Sequence, residues 1–360
     1  MKKAILLIIL VVVLLQVARI TRDAGIFRSV EQTVDLAACE IMTGPVGAED
    51  ITIDPVSKVA YISSDDRRAV LNDLSLDSYP SGSIWRLDLT KPDSQAEKMN
   101  IDMIGDFHPH GIALRFSEKD SNDQGRAIEL YAVNHIRSTE HEVVVFNILA
   151  SGELKIRRRI TYPALIAPND LVVVDKDKFF VSNDHGYSLN TKMAVLEDYL
   201  GLPLSSVSYF DGAQGHIVIS GLRFANGLAL SDDQESLYIA ETTAGRVSRY
   251  KQVRDRLVWK LDESLSVDMG VDNFEWDGYG HLLNAGHPKL FAFQAHMKNA
   301  QELSPSQVIR INVESDPMSY ETLYLNDGEA LSGASGAAKL DKTILIGSVF
   351  EEHFLRCKTN

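Results

Sequence analysis

The chain has 360 residues, of which 45% are hydrophobic and 24% are charged. This composition is typical of a folded globular protein, and the length allows two domains or one large β or α/β domain. The 36 Lys and Arg residues are outnumbered by 50 Asp and Glu residues, which gives a formal net charge of −14. A net anion is repelled by phosphate backbones, so the charge argues against nucleic acid as a partner. Two cysteines are too few for a zinc cluster or a disulfide-rich miniprotein.

The N-terminus has the pattern of a targeting signal. Two lysines precede an unbroken apolar run over 4–15, and more apolar residues extend it. This pattern is typical of a signal peptide or an uncleaved signal anchor over residues 1–23. We favour the anchor because no small-x-small cleavage site follows, so residues 4–20 would associate with a membrane. Lysines before the run keep the N-terminus inside, which predicts an extracytoplasmic location for residues 24–360.

The two cysteines lie at opposite ends of the body that follows this segment. Cys39 comes shortly after the apolar run, and Cys357 lies close to the C-terminus. An extracytoplasmic body permits disulfides, and a bond between these residues would tie the two ends of the fold together. The alternative is two unrelated buried thiols.

A short apolar strand recurs six times along the body. A polar turn rich in Asp, Gly, Pro or Ser precedes the strand, and another strand precedes the turn. The copies lie roughly 57 residues apart with no long helical periodicity between them, which is typical of β-propeller blades. The sequence therefore predicts an all-β, six-bladed β-propeller. The six copies are Val59–Ser64, Leu130–His135, Phe179–Asp184, Leu237–Glu241, Leu282–Gly286 and Ile344–Ser348.

The strand before each turn begins with two polar residues or with a polar residue followed by glycine. The innermost strands of a propeller surround a central tunnel, so equivalent positions of six blades form a ring at one mouth of it. Carboxylate and amide oxygens are the ligands that Ca²⁺ prefers, whereas zinc and copper sites use thiolates and imidazoles. The ring predicts a calcium-binding tunnel, unless these residues only cap turns. The dipeptides are Glu49-Asp50, His110-Gly111, Asn169-Asp170, Asn226-Gly227, Asp272-Asn273 and Ser335-Gly336.

Three segments interrupt the β pattern. The polar segments 66–81 and 118–125 are predicted to be loops at the rim of the propeller. Segment 187–202 has apolar residues at the spacing of an amphipathic helix. This helix would either cover the mouth of the tunnel or pack on the outside of a blade.

Nine short motifs occur in order between the two cysteines. They are Gly47–Asp50, Pro109–Ile112, Val133–His135, Pro168–Leu171, Ser182–His185, Phe224–Gly227, Val271–Asn273, Gly286–Pro288 and Ile346–Phe350. Any one of them is a weak signal, but together they resemble the paraoxonase/arylesterase family over nearly the whole body. Strictosidine-synthase-like and gluconolactonase-like propellers are the nearest competitors. The adjacent pairs Glu49-Asp50 and Asn169-Asp170 favour the paraoxonases because they would supply ligands for a second metal ion.

The resemblance implies two calcium ions per chain in the central tunnel. A deeper, structural calcium would be held by Asp50, Asp170 and the backbone carbonyl of Ile112. Cys39 and Cys357 match the ring-closing disulfide of the family. The ligands of the catalytic calcium would be Glu49, Asn169, Asn226, Asp272 and Asn273.

The resemblance also implies a catalytic pair, because His110 and His135 match the histidine dyad of the family. His110, assisted by His135, would deprotonate a water molecule that attacks an ester or lactone carbonyl polarised by calcium. Asp272 or a calcium-bound water could serve as the base instead, and both histidines could simply be satisfied residues of the tunnel wall. His185 and His287 would line the same tunnel in a binding or supporting role.

The sequence therefore predicts a calcium-dependent arylesterase and lactonase with a small-molecule substrate. Three features depart from the family. Ala285 stands where mammalian members carry a third cysteine, no Asn-linked glycan acceptor is present, and segment 65–81 does not align with the mobile active-site loop. A propeller that binds a partner without catalysis is the alternative of a different class, because a fold alone does not establish a function.

Overall fold

The structure of the chain is a computed structural model that describes most of its residues. The predicted rim loop 118–125 lies outside the described residues, and so does the part 73–80 of the other predicted loop. The described ranges are 2–31, 33–34, 36–72, 81–101, 105–117, 127–137, 140–188, 191–253 and 258–359.

The chain begins with a helix that lies outside the propeller. Helix α1 (Lys2–Asp23) has 22 residues, and none of them is buried. It is about 33 Å long at 1.5 Å per residue, and its mean hydropathy reaches 2.7, so it is long and apolar enough to cross a bilayer. A signal sequence has the same properties, so this helix alone is weak evidence of a membrane span. Two strands follow, β1 (Thr33–Val34) and β2 (Leu36–Thr43).

Six antiparallel sheets surround a central tunnel, and their innermost strands contact one another in turn. This arrangement confirms the predicted six-bladed propeller. In each of the first three blades the four strands follow one another from the innermost to the outermost. They are β3 (Ala48–Asp54), β4 (Val59–Ser64), β5 (Ser83–Asp88) and β6 (Glu97–Lys98) in blade 1; β7 (Pro109–Ser117), β8 (Ala127–Arg137), β9 (Glu140–Ile148) and β10 (Leu154–Ile160) in blade 2; and β11 (Pro168–Asp175), β12 (Lys178–Asn183), β13 (Ser205–Phe210) and β14 (Gly215–Leu222) in blade 3.

The last three blades continue this order until the ring closes. The N-terminal strand β2 completes blade 6 as its outermost strand, and β1 adds a fifth strand to blade 5. The remaining strands are β15 (Ala225–Leu230), β16 (Ser236–Glu241), β17 (Arg246–Val253) and β18 (Val258–Ser266) in blade 4; β19 (Gly270–Trp276), β20 (His281–His287), β21 (Ser306–Asn312) and β22 (Ser319–Asn326) in blade 5; and β23 (Ala334–Leu340), β24 (Thr343–Ser348) and β25 (His353–Thr359) in blade 6.

The ring closure carries the predicted disulfide. In the antiparallel pair of β2 and β25, Cys39 lies directly opposite Cys357, and their sulfur atoms are bonded. The predicted disulfide is confirmed, and the alternative of two unrelated buried thiols is wrong. The bond joins β2, close to the start of the propeller, to β25, its last strand.

Six clusters of buried apolar side chains hold the blades together, one between each pair of neighbouring blades. Adjacent residues of a strand face opposite sides of its sheet, so each blade contributes to two clusters. In blade 3, Phe179 packs against Tyr131 of blade 2, whereas Phe180 packs against Trp259 of blade 4. Burying a side chain of this size contributes about 1.5–3 kcal/mol.

Three short helices follow the second strands of alternate blades. The innermost strand of a blade begins at the ring mouth, and the antiparallel second strand ends there, so these helices lie at the same mouth. They are α2 (Arg67–Asn72) in blade 1, α3 (Lys192–Leu200) in blade 3 and α4 (Leu290–Lys298) in blade 5, and a 3₁₀ turn (Thr242–Ala244) takes the equivalent place in blade 4.

Two of these helices bear on the sequence predictions. A helix forms where the spacing predicted one, but its buried residues are Ala194 and Glu197, and the apolar side chains that suggested an amphipathic helix are exposed. The hydrogen bond between Asp198 and His185 places α3 at the mouth rather than outside a blade. The rim loop predicted over 66–81 is wrong for its first part, which forms α2 at the mouth. The reason is that Arg67 and Arg68 donate hydrogen bonds to carbonyl oxygens of other blades.

The end of α1 is fixed to the same face of the propeller. Asp23 forms a 2.9 Å ion pair with Arg223, and Arg19 donates a 2.7 Å hydrogen bond to the carbonyl of Leu200 in α3. The apolar N-terminal helix and the mouth of the tunnel therefore lie at one end of the molecule.

Candidate functional site

Each innermost strand has an irregularity in its pairing at the predicted ring position. In β3 the regular pairing stops at Ala48 and resumes at Ile51, which skips Glu49 and Asp50. The five other innermost strands skip their ring dipeptides in the same way. A bulge frees residues from the strand ladder and redirects their side chains. The six bulges lie at equivalent positions of the innermost strands, and they therefore turn the ring residues towards the tunnel.

Glycines in alternate blades let neighbouring ring residues approach closely. A Cβ atom on Gly111 would lie 2.5 Å from the Cα of Asp170, and one on Gly227 would lie 2.5 Å from the carbonyl oxygen of Asp272. Any side chain there would collide with the backbone of the next blade. Blades 2, 4 and 6 therefore contribute one ring side chain each, whereas blades 1, 3 and 5 contribute two.

Four oxygens of this ring are buried and accept no hydrogen bond from any described residue. The amide nitrogens of the three asparagines have partners, at 3.3 Å from Asp184 for Asn169, 3.2 Å from Thr242 for Asn226 and 2.7 Å from Glu49 for Asn273. Buried polar atoms without a partner are rare and costly, and oxygens free of hydrogen-bond donors suit a hard cation. The four atoms are Glu49 Oε2, Asn169 Oδ1, Asn226 Oδ1 and Asn273 Oδ1.

We call Glu49, Asn169, Asn226, Asp272 and Asn273 the upper ring. Its two carboxylates, Glu49 and Asp272, differ in pKa. Burial alone would raise the pKa of Glu49, but the charges of His110 and Arg67 and the amide of Asn273 lower it to about 2. Burial raises the pKa of Asp272, although His287 opposes the shift from 3.0 Å. Among the described residues no group of three His, Cys, Asp or Glu side chains forms a metal site. The ring differs from such a group because three of its five side chains are amides.

Asp50 and Asp170 lie deeper in the tunnel, and each accepts a hydrogen bond from the innermost strand of the next blade. Asp50 Oδ2 accepts the backbone N–H of Ile112 and Asp170 Oδ2 accepts that of Leu228, each at 2.7 Å. Burial raises the pKa of both carboxyls well above the usual range, and the charge of Asp170 adds to the shift of Asp50. Two buried carboxyl groups that repel each other fit a cation near them.

The sequence did not indicate Glu275, which lies below these residues. It lines a tunnel cavity of about 200 Å³ together with Asp170, Ile112 and Leu228. Burial raises its pKa to about 7, while a hydrogen bond from Thr52 opposes the shift. Its place two residues after Asn273 on β19 could have indicated it, because alternate residues of a strand face the same side.

Three histidines of blade 2 form one hydrogen-bonded line. Nδ1 of His110 lies 2.9 Å from Nε2 of His135, and Nδ1 of His135 lies 2.9 Å from Nδ1 of His141. The other nitrogen of His110, Nε2, is 3.4 Å from Glu49. The structure thus brings the predicted dyad together beside the ring and adds His141, which the sequence analysis missed.

His185 and His287, the two other predicted histidines, both flank the mouth. His185 contacts Asp184 at 2.6 Å and Asp198 at 2.9 Å. Burial would lower the pKa of His185, but these two carboxylates raise it to about 11, so it is a cation that ties α3 to blade 3. His287 bonds to Asp272 and stacks on Phe293 with ring centres 3.7 Å apart.

Comparisons with known proteins identify relatives along almost the whole chain. The family model for arylesterases matches residues 30–358. Serum paraoxonase/arylesterase 2 of Bos taurus is 30% identical over 329 residues, which cover 89% of this chain and 88% of the bovine protein. Serum paraoxonase/lactonase 3 of Oryctolagus cuniculus is 31% identical over 316 residues, which cover 85% of this chain and 84% of the rabbit protein.

Solved structures with low sequence identity share the propeller. A gluconolactonase from Xanthomonas campestris superposes with a TM-score of 0.53 at 13% identity, and the match covers 92% of this chain and 99% of that one. An aldose sugar dehydrogenase from Streptomyces coelicolor gives a TM-score of 0.54 at 13% identity, with 92% and 99% covered. At these identities the likeness shows the fold alone. The family match, by contrast, confirms what the nine motifs indicated, and the chain belongs to the arylesterase family of hydrolytic enzymes.

Proposed function

We propose that this chain is a calcium-dependent hydrolase of carboxylic esters and lactones. The observation that carries the proposal is the group of four buried oxygens without hydrogen-bond donors, directly beside a pair of hydrogen-bonded histidines. The names of the relatives, paraoxonase/arylesterase and paraoxonase/lactonase, support both substrate classes.

The upper ring would hold the catalytic calcium, and Asp50, Asp170 and the Ile112 carbonyl would hold a second, structural one. Calcium bound in the upper ring would polarise the substrate carbonyl and stabilise the negative charge that develops on its oxygen. The upper ligands would be Glu49, Asn169, Asn226, Asp272 and Asn273, whose oxygens are those described above.

His110 is the base in this proposal. Its Nε2 accepts a proton from water while the water oxygen attacks the carbonyl carbon, and the ester C–O bond then breaks. The same proton returns to the leaving oxygen, which leaves His110 as it began. His135 orients His110 through the 2.9 Å hydrogen bond. Asp272 is the alternative base.

Aromatic side chains at the mouth favour apolar substrates. Phe224 lies against His185 with ring centres 5.1 Å apart, and Phe293 covers His287. Both phenylalanines are partly exposed. An aryl or alkyl group would pack on these rings while its carbonyl reaches the calcium-binding ring.

The N-terminal helix supports an extracytoplasmic, membrane-anchored or secreted enzyme. Residues 1–23 would be the signal anchor, and residues 24–360 would be the catalytic propeller. The disulfide between Cys39 and Cys357 supports this compartment, because disulfides persist in oxidising surroundings.

Hydrolysis assays with and without calcium test the proposal. Purified protein is stripped with a chelator and assayed with phenyl acetate and with γ- and δ-lactones of increasing acyl length, before and after calcium is restored. We expect both activities to disappear and return. Absence of hydrolysis in either state would favour a binding propeller, and hydrolysis that survives chelation would reject the calcium mechanism.

A further inference from the structure

Glu275 interrupts a set of uncharged residues on the innermost strands. It stands three residues after Asp272, the first ring residue of blade 5. The same position of the five other innermost strands carries threonine, alanine or valine. A carboxylate in such a place is costly unless a cation or hydrogen-bond donors compensate its charge, so its presence requires a partner. The equivalent residues are Thr52, Ala113, Val172, Ala229 and Ala338.

The cavity that Glu275 lines also contacts two of the residues proposed to hold the deeper calcium. Asp170 and Ile112 line it, and its volume of about 200 Å³ gives room for several water molecules or a hydrated ion. The described residues that line this cavity include no lysine, arginine or histidine. The carboxylates of Asp170 and Glu275 therefore meet no positive side chain in the space they share.

The fold uses one oxygen of the Glu275 carboxylate and leaves the other free. Oε1 accepts hydrogen bonds from the Thr52 hydroxyl at 3.1 Å and from the Ile53 N–H at 3.3 Å, which join blade 5 to blade 1. Within the part of the chain that the structure describes, no group donates a hydrogen bond to Oε2. A carboxylate oxygen without a donor, at the wall of a cavity, suits a hard cation such as Ca²⁺.

The charge of Glu275 reaches both of the deeper aspartates. Burial raises the pKa of Asp50 and of Asp170 well above the usual range, and repulsion by Glu275 adds to each shift. Three carboxylates that repel one another in a buried place are stabilised together by one divalent cation.

We propose that Glu275 supplies a third carboxylate to the deeper calcium, through the oxygen Oε2 that the fold leaves free. The proposal rests on the proposed function, because it requires the calcium held by Asp50 and Asp170. The number of charged ligands is one of the properties that set the affinity of a protein site for Ca²⁺. Glu275 would therefore strengthen calcium binding at the deeper site without contributing to the upper ring.

Glu275→Gln separates this role from the hydrogen bonds of the fold. The amide oxygen can still accept from Thr52 and Ile53, whereas the negative charge is lost. In calcium titrations against a competing chelator, we expect one of the two ions to bind about tenfold more weakly or worse. The same loss in the Glu49→Gln background would assign it to the deeper ion. The matched control is Thr52→Val, which removes a hydrogen bond but keeps the carboxylate, so both affinities should stay within about threefold of the wild type.

Thermal unfolding at buffered calcium concentrations gives a readout that does not depend on turnover. At the lowest free calcium, Glu275→Gln should unfold at a higher temperature than the wild type, because a buried charge that repels two others has been removed. At millimolar calcium the order should reverse, because the ion that stabilises the wild type binds the variant less tightly. Thr52→Val should instead unfold below the wild type at both calcium concentrations.

Unchanged calcium affinities in Glu275→Gln, with unfolding temperatures that respond to calcium as in the wild type, would overturn the proposal. If this variant does not fold, Glu275→Ala provides the same comparison, because alanine occupies the equivalent position in blades 2, 4 and 6. Wild-type protein that binds no calcium would reject the proposed function as well. Wild-type protein with two calcium ions, whose affinities are the same in the Glu275 variants, would reject only the role of Glu275.

Discussion

At the scale of single residues, the site combines two kinds of buried polar group. The upper ring offers oxygens without hydrogen-bond donors, whereas the adjoining histidines are hydrogen-bonded to one another. The first arrangement suits a cation, and the second suits a base whose orientation is fixed. Glu49 connects the two, because it belongs to the ring and lies 3.4 Å from His110.

The two histidines of the dyad should differ in their effect on turnover. His110→Gln removes the base and should lower turnover of lactones by about 10²–10⁴-fold, the usual range for general-base catalysis. His135→Gln should cost less, because His135 only orients its partner. Both variants should keep the calcium content of the wild type, which elemental analysis measures on the assayed samples. Near-wild-type turnover of both on lactones between pH 6 and 9 would reject the dyad and make Asp272 the next candidate base.

The sequence indicated the ring because its residues recur at equivalent positions of a visible repeat, whereas the dyad followed from the resemblance to the paraoxonase/arylesterase family. It did not indicate His141, which the register of β8 and β9 places opposite His135 across a hairpin. Such a register follows from the folded sheet rather than from spacing. Arg67 was missed for a related reason, since it approaches Glu49 at 3.9 Å only through a helix at the mouth.

At the scale of elements, the bulges of the innermost strands determine where the ring side chains point. Each bulge occupies the same two positions, and glycine follows the ring residue in blades 2, 4 and 6. The close approach of Gly227 to the backbone of Asp272 and Asn273 shows how little space remains between neighbouring blades.

A methyl group at Gly227 should therefore disturb the ring without touching a ligand side chain. In Gly227→Ala the new Cβ would meet the carbonyl oxygen of Asp272 at 2.5 Å, so the backbone that bears two ring residues must move. We expect calcium affinity, measured by titration calorimetry, to fall about tenfold or more, as for loss of a supporting contact. The matched control is Gly221→Ala, which has a positive φ of 83° but no atom within 4 Å. It should cost about 1–2 kcal/mol of stability and keep calcium binding. Equal calcium affinity in both variants would contradict this account.

The strands were easier to predict than the helices. Alternating buried strands and polar turns recur in the sequence, whereas α2 has six residues and α4 has nine. Tertiary contacts hold α4, in which His296 is buried and bonds to the carbonyl of Glu302 at 2.7 Å and to Glu351 at 2.9 Å. Helices this short are stabilised mainly by such packing, so their sequences carry little signal.

At the scale of the whole molecule, the ring closes where β2 pairs with β25 in the last blade. The disulfide reinforces this closure at a site remote from the tunnel mouth, and Cys357 is completely buried. The closure of the propeller therefore contributes to stability, whereas the upper ring of polar side chains contributes to binding.

Removal of the disulfide should lower the stability of the protein and leave its calcium binding unchanged. The bond spans 318 residues, and in the chain-entropy view a disulfide across so long a loop contributes about 2–5 kcal/mol. We expect Cys39→Ala with Cys357→Ala to unfold at a lower denaturant concentration while it binds calcium as the wild type does. An unchanged unfolding midpoint would show that strand pairing alone closes the ring.

The most direct test of the central claim measures bound calcium and lactone turnover on the same samples of wild type and Glu49→Gln. The substitution removes one carboxylate charge from the upper ring and keeps the shape of the side chain. The account predicts two calcium ions per wild-type chain, loss of one in the variant, and a fall in turnover of about tenfold or more. Glu40→Gln, at an exposed carboxylate that pairs with Arg356 on the outer strand, should match the wild type. A Glu49→Gln protein that binds as much calcium as the wild type and keeps its turnover would contradict the account.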